Sequence, residues 1–237
     1  MTSTPDPWSF FDKIYCISID TRIDRRTEAK KQFAAAGLLQ RVEFVLVSKH
    51  PTDRERGIYQ SHLSCLKKGL QAGAEHILIF EDDVLLKNFP PQRLLDATAF
   101  LRNSPDWQGF FLGAITGKVD KTAEPAVSAI RYRCLAHAYA LNRPFAEHIS
   151  KLPWQNIPFD ELLRREGRKF YALSPMIAFQ GGASSDNQTV ALDRIRRIFG
   201  GLPHIQRANE LFQKHKLLIV SAHLILLLVL LLLILRN

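Results

Sequence analysis

The chain has 237 residues and a formal net charge of +9, with 46% hydrophobic and 23% charged residues. This length fits one domain of roughly 200 residues plus a further segment, and it excludes two full catalytic domains. The hydrophobic content excludes a largely disordered body, and the basic charge fits partners that bear phosphate, such as nucleic acid, anionic lipid or nucleotide-sugars.

Short apolar runs alternate with helix-like stretches along most of the chain. Strands are predicted at residues 14–19, 42–47, 76–80, 109–112, 138–141 and 170–173. Helices are predicted at residues 26–36, 58–72 and 92–102, with two more after Pro144 and near Phe159. Gly37 and Gly73 are expected to end the first two helices. This alternation predicts an α/β fold, a single Rossmann-type domain over residues 1–190 with a mostly parallel sheet.

Three consecutive carboxylates, Glu81, Asp82 and Asp83, follow the apolar strand predicted at residues 76–80. Ligands of open α/β sheets bind beyond the carboxyl ends of strands. If the strand's alternation continues, Glu81 and Asp83 share one face and Asp82 points to the other. Two carboxylates on one face repel unless a cation lies between them, and oxygen ligands suit Mg²⁺ or Mn²⁺. The triplet therefore predicts a metal site, with a plain acidic surface turn as the alternative.

Six ordered blocks between residues 13 and 188 resemble glycosyltransferase family 25, which includes lipooligosaccharide galactosyltransferases. The blocks are KIYCISIDTRIDRR, GIYQSHLSCLKKGLQAGAEHILIFEDDV, WQGFFLG, AHAYALNR, IPFDELL and YALSPMIAFQGGASSDNQ. Ser18 is a departure, because the family usually has Asn there. The resemblance implies a GT-A-like fold, a UDP-sugar or similar donor, and inversion at the anomeric carbon. It also implies that Glu81 and Asp83 hold the Mn²⁺ or Mg²⁺ ion and that Asp82 supports donor binding.

Further donor-binding residues are expected after the first strand and in the second helix. Arg22 and Arg25 could grip a diphosphate, and Arg25 matches the family position. Both arginines could instead be solvated residues of a helix surface. His62 is expected near a helix start with Ser61 as its cap, and it serves either donor binding or a structural hydrogen bond.

An inverting transferase needs a group that takes the proton from the acceptor hydroxyl. Asp160 is the first candidate for this base, although it could instead cap the helix that begins near Phe159. Asp186 is the second candidate, and His137, where the resemblance places pocket residues, is the third catalytic candidate.

The apolar segment at residues 217–235 has no formal charge and predicts a transmembrane helix. Lys214, His215 and Lys216 precede it while Arg236 follows it, which predicts a cytoplasmic catalytic side. The beginning of the sequence shows no secretory signal pattern, in agreement with that side. Residues 191–216 are predicted to form a basic amphipathic juxtamembrane segment lying against anionic lipid, with a solvated linker helix as the alternative.

The expected function is transfer of a hexose, with galactose as the expected sugar, from a UDP-sugar to a lipopolysaccharide or lipid-linked glycan at the cytoplasmic membrane face. No nucleic-acid partner is expected. Two alternatives remain: a catalytically inactive membrane scaffold of the same fold, and a different Mg²⁺-dependent phosphoryl-transfer enzyme. The second alternative usually places a nucleophilic aspartate after the first strand with a Thr close behind it, whereas here Asp20 is followed by TRIDRR and the acidic triplet comes much later.

Overall fold

The computed structural model describes residues 5–181 and 201–236. The strands are β1 (Lys13–Ile19), β2 (Val42–Val47), β3 (His76–Glu81), β4 (Val84–Leu86), β5 (Gly109–Phe111), β6 (Ile115–Lys121), β7 (Val127–Cys134), β8 (Ala138–Asn142), β9 (Phe170–Leu173) and β10 (Ala178–Gln180). The helices are α1 (Ile23–Ala35), α2 (Arg54–Gln71), α3 (Pro91–Arg102), α4 (Arg143–Lys151), α5 (Phe159–Glu166) and α6 (Leu202–Arg236), with a short 3-10 helix over Leu39–Arg41.

The main sheet has eight strands in the order β2-β1-β3-β8-β5-β9-β7-β6. Strand β1 pairs in parallel with β2 and β3, and β5 pairs in parallel with β9. Strand β8 lies antiparallel between β3 and β5, and β7 lies antiparallel between β9 and β6. All strands of this sheet except β7 and β8 therefore point the same way, and the predicted α/β class with a mostly parallel sheet is confirmed.

Both faces of the sheet are buried. Ile77 and Ile79 of β3 lie in a core cluster with apolar side chains of α2, α4 and α5. Leu78 and Phe80 lie in a second cluster with side chains of α1 and α3. Successive side chains of a strand point to opposite faces, and a strand covered on both faces reads as a continuous apolar run. The same alternation sends the side chains at the end of β3 toward different helices.

Helix α2 begins at Arg54 rather than at residue 58. The carboxylate of Asp53 accepts a hydrogen bond of 3.0 Å from the backbone N–H of Arg56, which caps the helix before its apolar periodicity begins. Ser61 therefore lies inside α2, and the prediction that it caps the helix is wrong. Its hydroxyl donates to the carbonyl of Gly57 at 2.7 Å instead.

The ends of the first two helices follow the prediction. Gly37 and Gly73 come just after α1 and α2 with φ of +66° and +76°. Glycine adopts this left-handed conformation without the steric penalty of a β-carbon, which is why it commonly ends helices.

Four strands are absent from the sequence-based prediction. β4 and β10 have three residues each and pair only with one another, so that Val84 faces Gln180 from a distant part of the chain. β6 and β7 form the edge of the main sheet and mix exposed charged residues with buried ones. Such strands lack the continuous apolar run that marks β1, β3 and β8.

Helix α6 joins two segments that differ in burial. Its backbone is non-helical at His215, with φ −115° and ψ 20°. Before this kink Gln206 is 1% exposed, whereas Leu217 after it is 84% exposed. By length and composition the helix could cross a membrane, with a mean hydropathy of 2.3 in its apolar window. Residues 191–200 of the predicted juxtamembrane segment lie outside the described residues, and its lipid contact stays a prediction.

Candidate functional site

The acidic triplet lies at the carboxyl ends of β1 and β3, where the chain turns from β3 into β4. The backbone N–H of Asp82 donates to the carbonyl of Ile17 in β1 at 3.1 Å. The N–H of Glu81 donates to the carbonyl of His137, just before β8, at 2.9 Å. Backbone hydrogen bonds on both sides therefore fix the turn at the sheet edge where ligands of such folds bind.

Asp82 faces α1 and contacts both that helix and the end of β1. Its Oδ2 accepts a hydrogen bond of 2.7 Å from the hydroxyl of Ser18 at the end of β1. Its Oδ1 lies 3.5 Å from Nη1 of Arg25, and Arg26 donates to the same Ser18 hydroxyl at 3.2 Å. Burial raises the pKa of Asp82, while the hydrogen bond from Ser18 and the charge of Arg25 act in the opposite direction. Asp82 thus ties β1, β3 and α1 together beside the turn.

The two predicted donor-binding arginines differ in their contacts. Arg25 approaches the acidic turn through Asp82. Arg22 forms a two-point ion pair with Asp24, with nitrogen-oxygen distances of 2.9 and 2.8 Å. The positive charge of Arg22 still acts on the pKa of Asp82. Arg25 therefore lies at the acidic turn, whereas the guanidinium of Arg22 is paired with Asp24 at the start of α1. Their contact with a donor stays a prediction.

Glu81 points to the opposite face and meets His62 of α2. The Nε2 atom of His62 lies 3.3 Å from Oε1 of Glu81, and its Nδ1 lies 3.0 Å from the hydroxyl of Tyr139. The imidazole stacks on Phe159 with ring centroids 4.3 Å apart. Burial lowers the pKa of His62 to about 4, so the ring is neutral at physiological pH. A neutral imidazole has one donor and one acceptor nitrogen, and it can bridge Tyr139 and Glu81 whether or not Glu81 is protonated.

Asp83 turns toward β10. Its Oδ2 accepts a hydrogen bond of 3.2 Å from Nε2 of Gln180, and its backbone carbonyl accepts from the N–H of Gly181 at 2.7 Å. Its Oδ1 is buried without a hydrogen-bond partner among the described residues. Because the chain turns at Asp82 and Asp83, the strand alternation ends there and Asp83 takes its direction from β10.

Glu81 and Asp83 both hold protons more tightly than ordinary carboxyl groups. Withdrawal from water, followed by the negative charges of Asp160 and Asp82, raises the pKa of Glu81 to about 8. Burial, followed by the charge of Glu81, raises the pKa of Asp83 to about 7. Two carboxylates in this condition are stabilised by a proton or by a cation.

The test for a metal ion gives a partial fit. No group of three His, Cys, Asp or Glu side chains able to hold a metal occurs within residues 5–181 and 201–236. The unpaired Oδ1 of Asp83 and the raised pKa of Glu81 are what an oxygen-ligand pair for a hard cation would present. Mg²⁺ is often held by one or two carboxylates together with substrate phosphates, and the metal-binding role of Glu81 and Asp83 stays a prediction.

Asp160, the first candidate base, has a well-defined structural role. Its Oδ1 accepts from the hydroxyl of Tyr132 at 2.5 Å and from the N–H of Ala136 at 2.9 Å. Its Oδ2 accepts from the N–H of Leu135 at 3.0 Å, and Leu135 has an unusual φ of +76°. Asp160 lies in the first turn of α5 but does not cap it, since the cap position is Pro158. It holds the loop before β8 in shape, and its role as a base stays a prediction.

The other two candidates for the base are His137 and Asp186. The ring of His137 is 1% exposed, and neither ring nitrogen meets the geometry of a hydrogen bond to the described residues. Burial lowers the pKa of His137 to about 4, against a small opposing effect of the backbone at Ala178 and Leu135. Asp186 lies outside the described residues.

Sequence reasoning missed two residues of the site. Ser18 is a buried polar residue on a strand face otherwise occupied by Ile14 and Cys16, and that position was a usable signal. Gln180 gave no signal, because it reaches Asp83 from 97 positions away. A surface cavity of about 610 Å³ beside Trp8 and Phe89 is lined by none of the predicted site residues.

No family model and no curated protein matches this chain. It is similar to a glycosyltransferase involved in the glycosylation of the major capsid of PBCV-1, with 10% identity, a TM-score of 0.45 and coverage of 78% of this chain and 98% of that one. It is also similar to A197 from STIV, with 12% identity, a TM-score of 0.45 and coverage of 70% and 83%. UDP-glucose pyrophosphorylase complexed with UDP-glucose has 14% identity, a TM-score of 0.40 and coverage of 68% and 72%. These partial likenesses carry no conclusion about activity, and membership of glycosyltransferase family 25 stays a prediction.

Proposed function

We propose that this chain is a glycosyltransferase that uses a nucleoside-diphosphate sugar, expected to be a UDP-hexose. The observation that carries the proposal is the carboxylate pair of Glu81 and Asp83, whose pKa values are raised to about 8 and about 7 at the carboxyl edge of the sheet, with Arg25 paired to the intervening Asp82. A half-buried acidic pair near a cationic side chain is suited to a metal-bound diphosphate.

The residues of the site divide the work of donor binding. Glu81 and Asp83 would hold Mn²⁺ or Mg²⁺, an ion that supplies positive charge to the departing diphosphate. Arg25 lies against Asp82, which keeps its guanidinium at the same edge of the sheet. Gln180 sets the direction of the Asp83 carboxylate, and His62 does the same for Glu81. Preorganised charge of this kind stabilises a leaving group without reorganisation during the reaction.

The transfer step that we propose is a displacement at the anomeric carbon. The acceptor oxygen forms a bond to that carbon, the bond to the diphosphate oxygen breaks, and the nucleoside diphosphate leaves with the electron pair. The acceptor proton passes to a base, for which Asp160, Asp186 and His137 are the sequence-based candidates. Inversion, galactose and a lipopolysaccharide-type acceptor are proposed from the family resemblance alone.

Membrane attachment by α6 supports a lipid-linked acceptor. The helix could cross a membrane, and its apolar window is 0% buried against the rest of the chain. Attachment to the bilayer that carries the acceptor raises the effective concentration of acceptor at the site. A single-pass anchor with the site on the cytoplasmic side is the arrangement that we propose.

A panel of nucleotide-sugars tests the proposal. Full-length protein in detergent is melted with Mn²⁺ and UDP-, GDP- or dTDP-hexoses, because a ligand that binds only the folded state raises the melting temperature. We expect a UDP-hexose to give the largest concentration-dependent increase and to be hydrolysed slowly in the presence of Mn²⁺. Absence of both effects for every donor would contradict the enzyme and favour the inactive scaffold.

A further inference from the structure

The first part of α6 is attached to the body of the protein by polar side chains that bind backbone groups. Oε1 of Gln206 accepts from the N–H of Gln180 at 2.9 Å, and its Nε2 donates to the carbonyl of Ala178 at 3.2 Å. Gln206 thereby pairs with β10 much as a neighbouring strand would. Because the residue is 1% exposed, water does not compete with these bonds.

A second two-point contact follows one helical turn later. Oδ1 of Asn209 accepts from the N–H of Thr116 at 2.9 Å, and Nδ2 donates to the carbonyl of Thr116 at 2.9 Å. Glu210 accepts from the N–H of Met176 at 2.8 Å, and Gln213 donates to the Thr116 carbonyl at 3.2 Å. Contacts at several points along one helix fix both its position and its rotation against β6 and β10. We call residues 202–213 the docked segment.

The docked segment leads directly into the apolar segment. Lys214 and Lys216 flank the kink at His215, and from Leu217 onward the described side chains are exposed except for the half-buried Ile219. Lysines at the edge of an apolar helix place that edge at the lipid head groups. The boundary between protein contact and lipid contact thus lies between Gln213 and Leu217.

The length of α6 limits the height at which Gln206, next to the acidic turn, can lie above the bilayer. Gln206 precedes Leu217 by eleven residues, and a helix rises about 1.5 Å per residue, so Gln206 lies at most about 16 Å above the hydrocarbon edge. The head-group layer occupies about 5 to 7 Å of that height. Gln206 binds the backbone of Gln180, and the side chain of Gln180 lies 3.2 Å from Asp83. The acidic turn is therefore coupled through two residues to a helix of fixed length.

We infer that the docked segment is a strut that holds the acidic turn close to the lipid head groups and restricts the acceptor to a membrane-anchored molecule with a short polar head group. The existence of an acceptor rests on the proposed function, whereas the upper limit on the height follows from the contacts and length of α6. An acceptor whose reacting group extends far above the head-group layer would carry that group past the acidic turn. A soluble acceptor would not gain the high local concentration that attachment to the same membrane provides.

Lengthening the strut tests the inference. Seven helix-forming residues inserted after Lys216 leave the docked segment intact and raise the body by up to about 10 Å over about two helical turns. Full-length protein is reconstituted in phosphatidylcholine bilayers containing phosphatidylglycerol, and neutron reflectometry measures the gap between the body and the bilayer. A second variant, Gln206→Ala with Asn209→Ala, releases the docked segment, and Gln71→Ala at the exposed end of α2 is its control.

We expect the insertion to widen the gap between the body and the bilayer. The double variant Gln206→Ala with Asn209→Ala should broaden the distribution of gap widths, and Gln71→Ala should leave the gap unchanged. With a short lipid-linked acceptor, transfer by the insertion variant should fall about 100-fold, whereas Mn²⁺-dependent donor hydrolysis in detergent stays unchanged. An unchanged gap after insertion, or full transfer to the short acceptor, would overturn the strut. Absence of donor hydrolysis in the unmodified chain would contradict the proposed function, and the reflectometry would still decide the height.

Discussion

The Ser18 hydroxyl donates a hydrogen bond of 2.7 Å to Oδ2 of Asp82 and joins the end of β1 to the acidic turn. In Ser18→Ala the buried carboxylate loses this donor, so we expect the free energy of unfolding to fall by about 1 to 3 kcal/mol. Urea unfolding at neutral pH measures the change. Ser64→Ala, on the exposed face of α2, is the control and should change stability by less than about 0.5 kcal/mol. Equal stability of both variants would contradict the structural role of Ser18.

The raised pKa of Glu81 predicts a pH dependence of stability. Its pKa moves from the usual 4.5 to about 8 on folding, so the folded state binds more protons than the unfolded state between these values. Stability therefore declines as pH rises through this window. Glu81→Gln removes the decline, and its stability relative to the unmodified protein should increase from about pH 5 to about pH 8 in the presence of EDTA.

Other groups also titrate in this range. The lowered pKa values of His62 and His137 act in the opposite direction below pH 6.5, because only the unfolded state binds the proton there. The charge of Glu81 raises the pKa of Asp83, so Glu81→Gln also weakens the decline that Asp83 causes and adds to the same relative increase. Glu55→Gln, at an exposed position of α2, is the control. A pH-independent difference between Glu81→Gln and the unmodified protein would refute the withdrawal of Glu81 from water.

Much of the fold was predictable because its local patterns agree with the final packing. Strands β1, β3 and β8 are continuous apolar runs, and the strand-end rule led from β3 to Glu81 and Asp82. The direction predicted for Asp83 assumed that strand alternation continues to it, whereas β3 ends at Glu81. The direction depends instead on Gln180 in β10, a strand that exists only through its pairing with β4. The docked segment was equally hidden, because its polar residues resemble a solvated helix until β6 and β10 accept them.

Asp160 should contribute to stability whether or not it also takes part in the reaction. Asp160→Ala leaves the Tyr132 hydroxyl and the N–H groups of Leu135 and Ala136 without their acceptor, and we expect a loss of about 2 to 4 kcal/mol. Asp160→Asn keeps one acceptor oxygen and should lose less. Thermal and urea unfolding measure both variants against Asp106→Asn, which changes an exposed carboxylate. If Asp160→Ala is as stable as the unmodified protein, the three hydrogen bonds of Asp160 do not contribute to stability and the prediction is wrong.

Gln180 should influence the metal affinity of the site without binding the ion. Gln180→Ala removes the donor that directs Oδ2 of Asp83, so we expect Mn²⁺ to bind about 10-fold more weakly. Gln180→Glu adds a carboxylate beside Asp83 and should raise the pKa of that group further. Mn²⁺ titration followed by electron paramagnetic resonance measures the metal affinity of both variants, and Gln92→Ala on α3 is the control. Equal Mn²⁺ affinity in all variants would contradict an influence of Gln180 on the metal affinity of the acidic turn.

We propose that Glu81 and Asp83 together hold a cation that receives the donor diphosphate, and metal-dependent donor binding is the measurement that decides this. Isothermal titration of a UDP-hexose is compared with Mn²⁺ and with EDTA in the unmodified protein, Glu81→Gln, Asp83→Asn and the exposed control Asp120→Asn. We expect Mn²⁺ to tighten donor binding about 10-fold or more in the unmodified protein and the control, and neither acidic-turn variant to show this gain. Donor binding that is independent of Mn²⁺ in the unmodified protein, or that keeps its Mn²⁺ dependence in both variants, would contradict a cation site formed by these two carboxylates.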